Sequence, residues 1–246
     1  MATNPTIMII RADLHIHSGD DPYDKLPYTV FQAIDEAASR GINCIAVTDH
    51  SRFSWTSEYA GYAKNKQVLL IPGIETQIKH KDVIILNSDK DVEKIKSFDD
   101  LRTYKSDRHL IIAPHPFYPI KCALKNLLYE NSDLFDVIEL SSCYLSWFNK
   151  FNEKAEKAAK ELSKTLICNS DSHALWQIGN VWTEIEVDNF TVSDVIAAIK
   201  AGKTKPCCRP MTHFEFFKFF VCGDFPRTFR KIIESRKSKR KSYLTT

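Results

Sequence analysis

Two histidines lie two positions apart near the start of the chain, in the segment ADLHIHSGDD at residues 12–21. The apolar residues 7–10 come just before them, so the segment is predicted to end a β-strand. Because side chains at positions i and i+2 of a strand point to the same face, His15 and His17 are expected to project together. Two neutral imidazoles on one face can hold one metal ion.

Further metal-binding residue types follow other short apolar runs. They are Asp49 and His50 in VTDH, Glu75 in IPGIE, His115 in IIAPHP, and Asp171 and His173 in NSDSH. Five of the eight histidines therefore come at predicted strand ends, together with acidic residues, which predicts a metal site. Mixed His and carboxylate ligands favour zinc, manganese or iron over calcium. A carboxylate such as Glu75 can bridge two ions, and clustered ions serve hydrolytic phosphoryl chemistry.

The elements that position these residues alternate between apolar runs and amphipathic stretches. Strands are predicted at 7–14, 42–50, 68–76, 82–87, 109–116, 136–142, 165–173 and 181–187, and helices at 27–41, 98–107, 148–164 and 191–203. This alternation is typical of an α/β fold with a mostly parallel sheet, and its length of about 200 residues predicts a barrel. Barrel enzymes place their active sites at the C-terminal ends of the strands, where the candidate ligands fall.

In chain order, the motifs DLHIHS, TDH, PGIE, APHP and NSDSH resemble those of the polymerase and histidinol phosphatase (PHP) superfamily. The resemblance covers about residues 11–206. It implies a distorted (β/α)7 TIM-like barrel with a metal site at the C-terminal ends of the strands. Members of the family usually hold a trinuclear metal centre and hydrolyse phosphoesters. The resemblance therefore implies a phosphoric ester hydrolase with two to three divalent ions, zinc, manganese or iron.

The same resemblance implies which residues hold each ion. His15, His17, Glu75 and Asp171 would bind a first ion, Glu75 and His115 a second, and His50 and His173 a third, with Asp49 orienting a ligand. Glu75, Asp171 and His173 are the expected catalytic residues. The chemistry implied is attack on phosphorus by a hydroxide that the metal ions activate.

Two positions depart from the family pattern, and each leaves an alternative open. The common Asp or His after the first histidine pair is missing from SGDDPYDKL, so Asp24 is the expected ligand of the third ion and Asp21 the alternative. The family also often has a histidine a few residues after the bridging Glu. His80 lies near that place and is a predicted metal ligand, with Asp82 as its competitor. The remaining histidines, His109 and His213, are not expected to be ligands.

Charge and position suggest the partners of the chain. Arg52 directly follows TDHS and is predicted to bind the phosphate of a small phosphorylated substrate. Residues 227–246 carry eight Lys/Arg and one Glu, a charge of +7, so the other 226 residues carry −4 within a total of +3. Such a basic tail can bind nucleic acid, and a solvated tail is the alternative. We predict a barrel domain at residues 1–210 and an aromatic-rich extension with the basic tail at residues 211–246.

Seven scattered cysteines form no CxxC pair, and we find neither a secretory signal nor an apolar run long enough to span a bilayer. We therefore expect reduced thiols and a cytoplasmic protein. The oligomeric state is left open. The expected function is a metal-dependent phosphoesterase acting on a phosphomonoester or nucleotide-type substrate. The alternative is a non-catalytic, accessory metal-binding protein whose basic tail binds nucleic acid.

Overall fold

The computed structural model of the protein describes the backbone of residues 7–222 and the side chains of residues 7–219, so the predicted basic tail lies outside the described residues. The strands are β1 (Met8–Ile16), β2 (Cys44–Val47), β3 (Leu69–Ile78), β4 (Lys81–Leu86), β5 (Leu110–Ala113), β6 (Val137–Ser141), β7 (Thr165–Asn169), β8 (Trp182–Val187) and β9 (Thr204–Cys207). The helices are α1 (Val30–Ser39), α2 (Ser57–Asn65), α3 (Phe98–Tyr104), α4 (Asn126–Glu130), α5 (Lys150–Glu161), α6 (Val192–Lys200) and α7 (His213–Cys222).

The strands form one sheet in the order β7-β6-β5-β4-β3-β2-β1-β8-β9. Four neighbouring pairs are parallel and four antiparallel, so the prediction of a mostly parallel sheet is wrong. The turn between β3 and β4 explains part of the difference. Only Lys79 and His80, with φ of 50° and 62°, separate these strands, and a two-residue connection of this kind joins antiparallel strands.

The sheet curls into a nearly closed barrel, in which β7 approaches β8 and β9 through side chains. The hydroxyl of Thr183 on β8 accepts from the backbone N–H of Cys168 on β7 at 2.8 Å and donates to its carbonyl oxygen at 2.9 Å. A disulfide joins Cys168 to Cys208, just after β9. The α/β barrel-like fold is thus confirmed, with nine strands among the described residues where seven were expected. The expectation that all thiols are reduced is wrong for this pair, because the fold brings together two cysteines 40 residues apart in sequence.

Apolar side chains fill the barrel and the space under the helices. Ile84 and Ile112 pack inside the barrel, and Ile34 of α1 packs against its outer surface. The helix α1 begins as expected, because Thr29 accepts a hydrogen bond from the backbone N–H of Gln32, whose side chain accepts from the Thr29 N–H in return. Such a capping box satisfies backbone donors that the helix leaves unpaired.

After β9 the chain continues into α7 at the end of the barrel where the parallel strands finish. The N–H of Met211 donates to the carbonyl of Tyr144 at 2.8 Å, and Arg209 forms an ion pair with Glu215. Phe214 and Phe217 of α7 are exposed. Within residues 7–222, we find no helix with the length and apolar character needed to cross a bilayer.

Candidate metal centre

A bulge in β1 turns both N-terminal histidines toward the mouth of the barrel. Leu14 lines the barrel interior, so simple alternation would send Ile16 inward and His15 outward. The register between β1 and β2 shifts at this point, and Ile16 packs with α1 on the outside instead. An extra residue in one strand reverses the alternation beyond it. His15 and His17 therefore project together, both fully buried.

The Nε2 atoms of these two histidines lie 3.2 Å apart and face the same two carboxylates. Glu75 Oε2 lies 3.4 Å from each Nε2 atom. Asp171 Oδ1 lies 3.2 Å from His15 Nε2 and 3.3 Å from His17 Nε2. Residues from β1, β3 and the segment after β7 thus direct four potential ligand groups at one another.

Glu75 occupies the centre of this cluster. Its Oε2 also lies 3.2 Å from His50 Nε2, and its Oε1 lies 3.5 Å from His115 Nε2. Glu75 is 1% exposed. A single buried carboxylate therefore faces four imidazoles, which fits the bridging role expected for it.

The backbone is strained at two of the candidate ligands. His115 has a φ of 30° and Asp171 a φ of 49°, in the left-handed region that residues with a Cβ seldom adopt. Such conformations persist where the surrounding structure holds them, and they cluster at functional sites. Each residue lies two positions beyond the end of a strand, where the chain turns at the barrel mouth.

Asp21 and Asp24 occupy different positions around His50 and His173. Asp21 is buried, and its Oδ2 lies 3.1 Å from His17 Nδ1 and 2.8 Å from His50 Nδ1. It also accepts from the backbone N–H of His50. Asp24 Oδ2 lies 3.4 Å from His173 Nε2 and 3.9 Å from His50 Nδ1. Asp21 thus orients two imidazoles, while Asp24 faces the pair expected to hold the third ion.

Glu139 of β6 also contacts the cluster, a role that was not predicted from the sequence. Its Oε1 lies 3.1 Å from His15 Nδ1, and its Oε2 accepts from the backbone N–H of His115 at 3.1 Å. The side-chain amide of Asn169 donates to Oε1 at 2.8 Å. Carboxylates in such a position fix the tautomer and orientation of a metal-binding imidazole. In the sequence, Glu139 stands out only as an acidic residue inside the apolar run DVIELSS, where a buried charge needs a hydrogen-bond or ion-pair partner.

Other predicted residues lie at the edge of the cluster or away from it. Asp49 is buried and accepts from the N–H and hydroxyl of Ser18 at 2.7 Å and 2.8 Å, which ties β2 to the loop after β1. Arg52 is exposed, and its Nη1 donates to the carbonyl of Asp20 in that loop at 3.0 Å. His80 is exposed in the turn after β3, and the structure does not bring it to the other ligands.

The mixture of buried acids and imidazoles shifts their pKa values strongly. Burial opposes the charge of His50, but the carboxylates of Glu75 and Asp21 outweigh it and raise the His50 pKa to about 9. Burial likewise opposes charge on His115, yet Glu75 and other nearby carboxylates raise its pKa to about 9. For Glu75 itself, burial is outweighed by the imidazoles of His15 and His50, which hold its pKa well below the usual range.

The donor set fits divalent metal ions. Among the described residues, there are five groups of three residues in which the three potential ligand atoms all lie within 4.8 Å of one another. The residues in these groups are His15, His17, Asp21, Asp24, Asp49, His50, Glu75, His115, Asp171 and His173. Two buried atoms, Glu75 Oε1 and His115 Nδ1, have no hydrogen-bond partner. Buried polar atoms normally have one, so these atoms are available to a ligand.

Comparison with known proteins agrees with this picture. A family model described as PHP-associated matches residues 149–204. A two-domain protein from Bacteroides vulgatus that contains a predicted PHP-like metal-dependent phosphoesterase has a similar structure, with a TM-score of 0.67 and 18% identity. The similarity covers 82% of this chain and 66% of the two-domain protein, so the chain spans slightly less than two thirds of that relative.

Two further proteins are similar to this chain. An uncharacterized protein of Methanocaldococcus jannaschii, MJ1587, is 29% identical over 170 residues, which are 65% of this chain and 97% of the relative. The lesion-specific endonuclease EndoQ from Pyrococcus furiosus is similar in structure, with a TM-score of 0.55 and 19% identity, over 81% of this chain and 58% of the endonuclease. At these identities the solved structures support the fold.

Proposed function

We propose that this PHP-type chain is a metal-dependent phosphoesterase that hydrolyses a phosphomonoester or nucleotide-type substrate. The observation that carries the proposal is the convergence of His15 Nε2 and His17 Nε2 on the carboxylates of Glu75 and Asp171, at 3.2 to 3.4 Å. Imidazole and carboxylate are the donors that zinc, manganese and iron prefer. The phosphoesterase contained in the Bacteroides vulgatus relative supports the same reaction class.

Each candidate ligand has a place in this proposal. His15, His17, Glu75 and Asp171 hold a first ion, Glu75 and His115 a second, and Asp24, His50 and His173 a third. When bound, the ions supply an acidified water molecule and positive charge toward the phosphate oxygens. Asp21 and Glu139 orient imidazoles through the Nδ1 contacts given above. Asp24 is preferred to Asp21 as a ligand because Asp21 already holds two imidazoles.

Arg52 is the proposed phosphate-binding residue. It lies in the segment directly after β2, and its contact with the carbonyl of Asp20 places its guanidinium beside the loop that carries Asp21 and Asp24. A planar guanidinium offers several N–H donors to phosphate oxygens. Its exposure leaves it accessible to a substrate that enters from solvent.

The Glu75→Gln variant tests the proposal. An amide cannot replace a carboxylate that faces four imidazoles, so we expect hydrolysis of an aryl phosphate with added manganese or zinc to fall. The loss should exceed about a hundredfold, since changes outside the ligand set already cost up to that factor. Glu186→Gln, an exposed glutamate on β8, is the matched control and should retain activity. Circular dichroism shows whether both variants fold. Unchanged turnover in a folded Glu75→Gln protein would contradict the role of Glu75.

A phosphodiester in nucleic acid is the second candidate substrate, supported by the similarity in fold to the Pyrococcus furiosus endonuclease. Comparing hydrolysis of an aryl phosphate with that of a bis-aryl phosphate separates the two reactions.

The alternative function, a non-catalytic accessory protein that binds nucleic acid, requires the basic tail. Salt-dependent nucleic-acid binding that disappears on deletion of residues 227–246, without turnover of either ester, would support it.

A further inference from the structure

A cavity of about 300 Å³ lies between the loop that joins β1 to α1 and the helix α2. Gly19, Asp20 and Tyr28 of the loop line it, together with Phe31 of α1 and Tyr59 of α2. Because α1 follows β1 and α2 follows β2, both helices begin at the barrel mouth, where the candidate metal centre lies. Binding sites for small molecules occupy about 300–1,000 Å³, so the cavity suits one small organic group.

Backbone contacts fix the wall of the cavity that the loop forms. The N–H of Gly19 donates to the carbonyl of Tyr28 at 2.7 Å, and a Cβ atom at position 19 would lie 2.6 Å from the same oxygen. Glycine therefore permits a close approach that any side chain would disturb. The hydroxyl of Tyr28 donates to the carbonyl of His17 at 2.8 Å. A residue that lines the cavity thus contacts the backbone of a candidate metal ligand.

Two aromatic rings meet in the wall of the cavity that the helices form. Phe31 and Tyr59 pack edge to face, with centroids 4.9 Å apart and planes at 81°. Tyr62, one turn further along α2, packs against Phe31 in the same way, at 4.9 Å and 78°. Phe31 and Tyr59 remain partly exposed. Their free surface is available to a flat ring, because aromatic side chains bind nucleobases by stacking.

Asp20 supplies a charged group to the cavity. Its Oδ2 accepts from the hydroxyl of Tyr59 at 3.2 Å. Arg52 donates to the backbone carbonyl of Asp20, and no basic side chain among residues 7–219 forms an ion pair with the Asp20 carboxylate. A carboxylate has about four acceptor sites, so Asp20 keeps the capacity to accept from N–H groups of a ligand.

We infer that this cavity holds the nucleobase of a nucleotide whose phosphate binds at the metal centre, and that Asp20 accepts from an amino group of the base. The inference rests on the proposed function and deepens it, because it names the organic part of the substrate and the residues that recognise it. Arg52, the proposed phosphate-binding residue, connects the two sites. It lies two positions after His50 and contacts the carbonyl of Asp20 at 3.0 Å.

The rings and the carboxylate have different tasks in this site. Stacking on Phe31 and Tyr59 contributes to the binding of any base. The carboxylate of Asp20 distinguishes between bases, because an amino group donates to it whereas a carbonyl oxygen at the same place repels it. The site therefore favours an amino-bearing base over its carbonyl-bearing counterpart.

The test compares two matched substrate pairs on the wild-type chain with manganese present. The pairs are cytidine and uridine 5′-monophosphate, and adenosine and inosine 5′-monophosphate, in which an amino group replaces a carbonyl oxygen. In at least one pair, we expect the amino-bearing nucleotide to have a KM about tenfold lower, as expected for a hydrogen bond to a charged group. The kcat values should be similar within a pair, because the base lies away from the reacting phosphate.

Three variants assign the preference to its residues. Asp20→Asn should remove it, because an amide both donates and accepts. Phe31→Leu should raise the KM of all four nucleotides through lost stacking. Asp35→Asn is the matched control and should keep the preference, since Asp35 accepts from the Tyr62 hydroxyl at 2.9 Å but lies outside the cavity. Equilibrium dialysis of the free nucleosides measures the same preference without phosphate or turnover.

Several results would overturn the inference. They are equal KM values within both pairs, a preference that survives in Asp20→Asn, and a preference that Asp35→Asn also removes. The comparison within each pair uses the wild type, so it decides the question even where a variant does not fold. A wild type that hydrolyses an aryl phosphate but none of the nucleotides contradicts this inference alone. A wild type that hydrolyses neither contradicts the proposed function, and nucleoside dialysis then still tests the cavity.

Discussion

Two buried glutamates have different tasks at the mouth of the barrel. Glu75 turns both oxygens toward imidazole Nε2 atoms, whereas Glu139 contacts His15 through Nδ1. Since an imidazole binds a metal ion through one nitrogen and a protein group through the other, the contact with Glu139 would determine which nitrogen of His15 faces a bound ion. It also accepts from the backbone N–H of His115, so it positions a second candidate ligand.

We predict that Glu139→Gln weakens manganese binding by about 10- to 100-fold, as expected for a group that orients a ligand. The amide adds two donors where the partners of Glu139 are themselves donors, so His15 and His115 lose their orientation. Competition with a fluorescent chelator measures the affinity. Glu36→Gln, on the surface of α1, is the matched control. Unchanged affinity in Glu139→Gln would show that Glu139 does not orient these ligands.

The helices and strands that were predicted correctly from the sequence are those with a regular pattern of apolar residues. The predicted strands and helices with strong patterns, such as α1, α5 and β1, are present within a few residues. The helix α2 was missed because Ala63 is its only buried residue, so it carries no apolar stripe. The strand β9 was missed because its sequence, TKPC, is short and no more than half-buried.

The residues of the candidate site were predicted well where histidines and acids follow a predicted strand. They were predicted less well where three-dimensional packing decides which side chains come together. The sequence shows that His15 and His17 share a face, but the bulge that turns this face inward depends on the pairing with β2. Similarly, spacing alone could not separate His80 from Asp82, because the position of the two-residue turn between β3 and β4 decides which of them lies within a strand.

The disulfide between Cys168 and Cys208 is the covalent link between β7 and the end of β9. We predict that Cys208→Ser lowers the free energy of unfolding by about 2–4 kcal/mol, because the link closes a long loop in the unfolded chain. Urea unfolding with and without reductant measures the effect, and reductant should shift the wild type but not the variant. Cys207→Ser is the matched control, since the neighbouring Cys207 is a free thiol. Equal unfolding midpoints for wild type and Cys208→Ser under oxidising conditions would contradict this prediction.

In the molecule as a whole, the affinity of the cluster for metal ions is expected to depend on pH. His50 and His115, with pKa values raised to about 9, carry protons in the metal-free protein at neutral pH. A protonated imidazole cannot bind a metal ion, so binding must release these protons. In the metal-free protein these protons favour folding, and this contribution is lost as the pH rises through about 9.

We therefore predict that the affinity for manganese rises from about pH 7 to about pH 9 and then levels off. Chelator competition over this range measures the affinity, and calorimetry in buffers of different ionisation enthalpy measures the released protons. His109→Ala is a suitable control, because His109 directly precedes β5, at the opposite end of this strand from His115, and burial lowers its pKa. An affinity that does not change with pH would show that the imidazoles are already neutral.

Elemental analysis of the purified full chain, paired with hydrolysis of an aryl phosphate in the presence of manganese or zinc, tests whether the chain is a metal-dependent phosphoesterase. We expect about two to three divalent ions per chain together with metal-dependent turnover. A chain that contains no metal, binds none on addition and hydrolyses no phosphoester would contradict it.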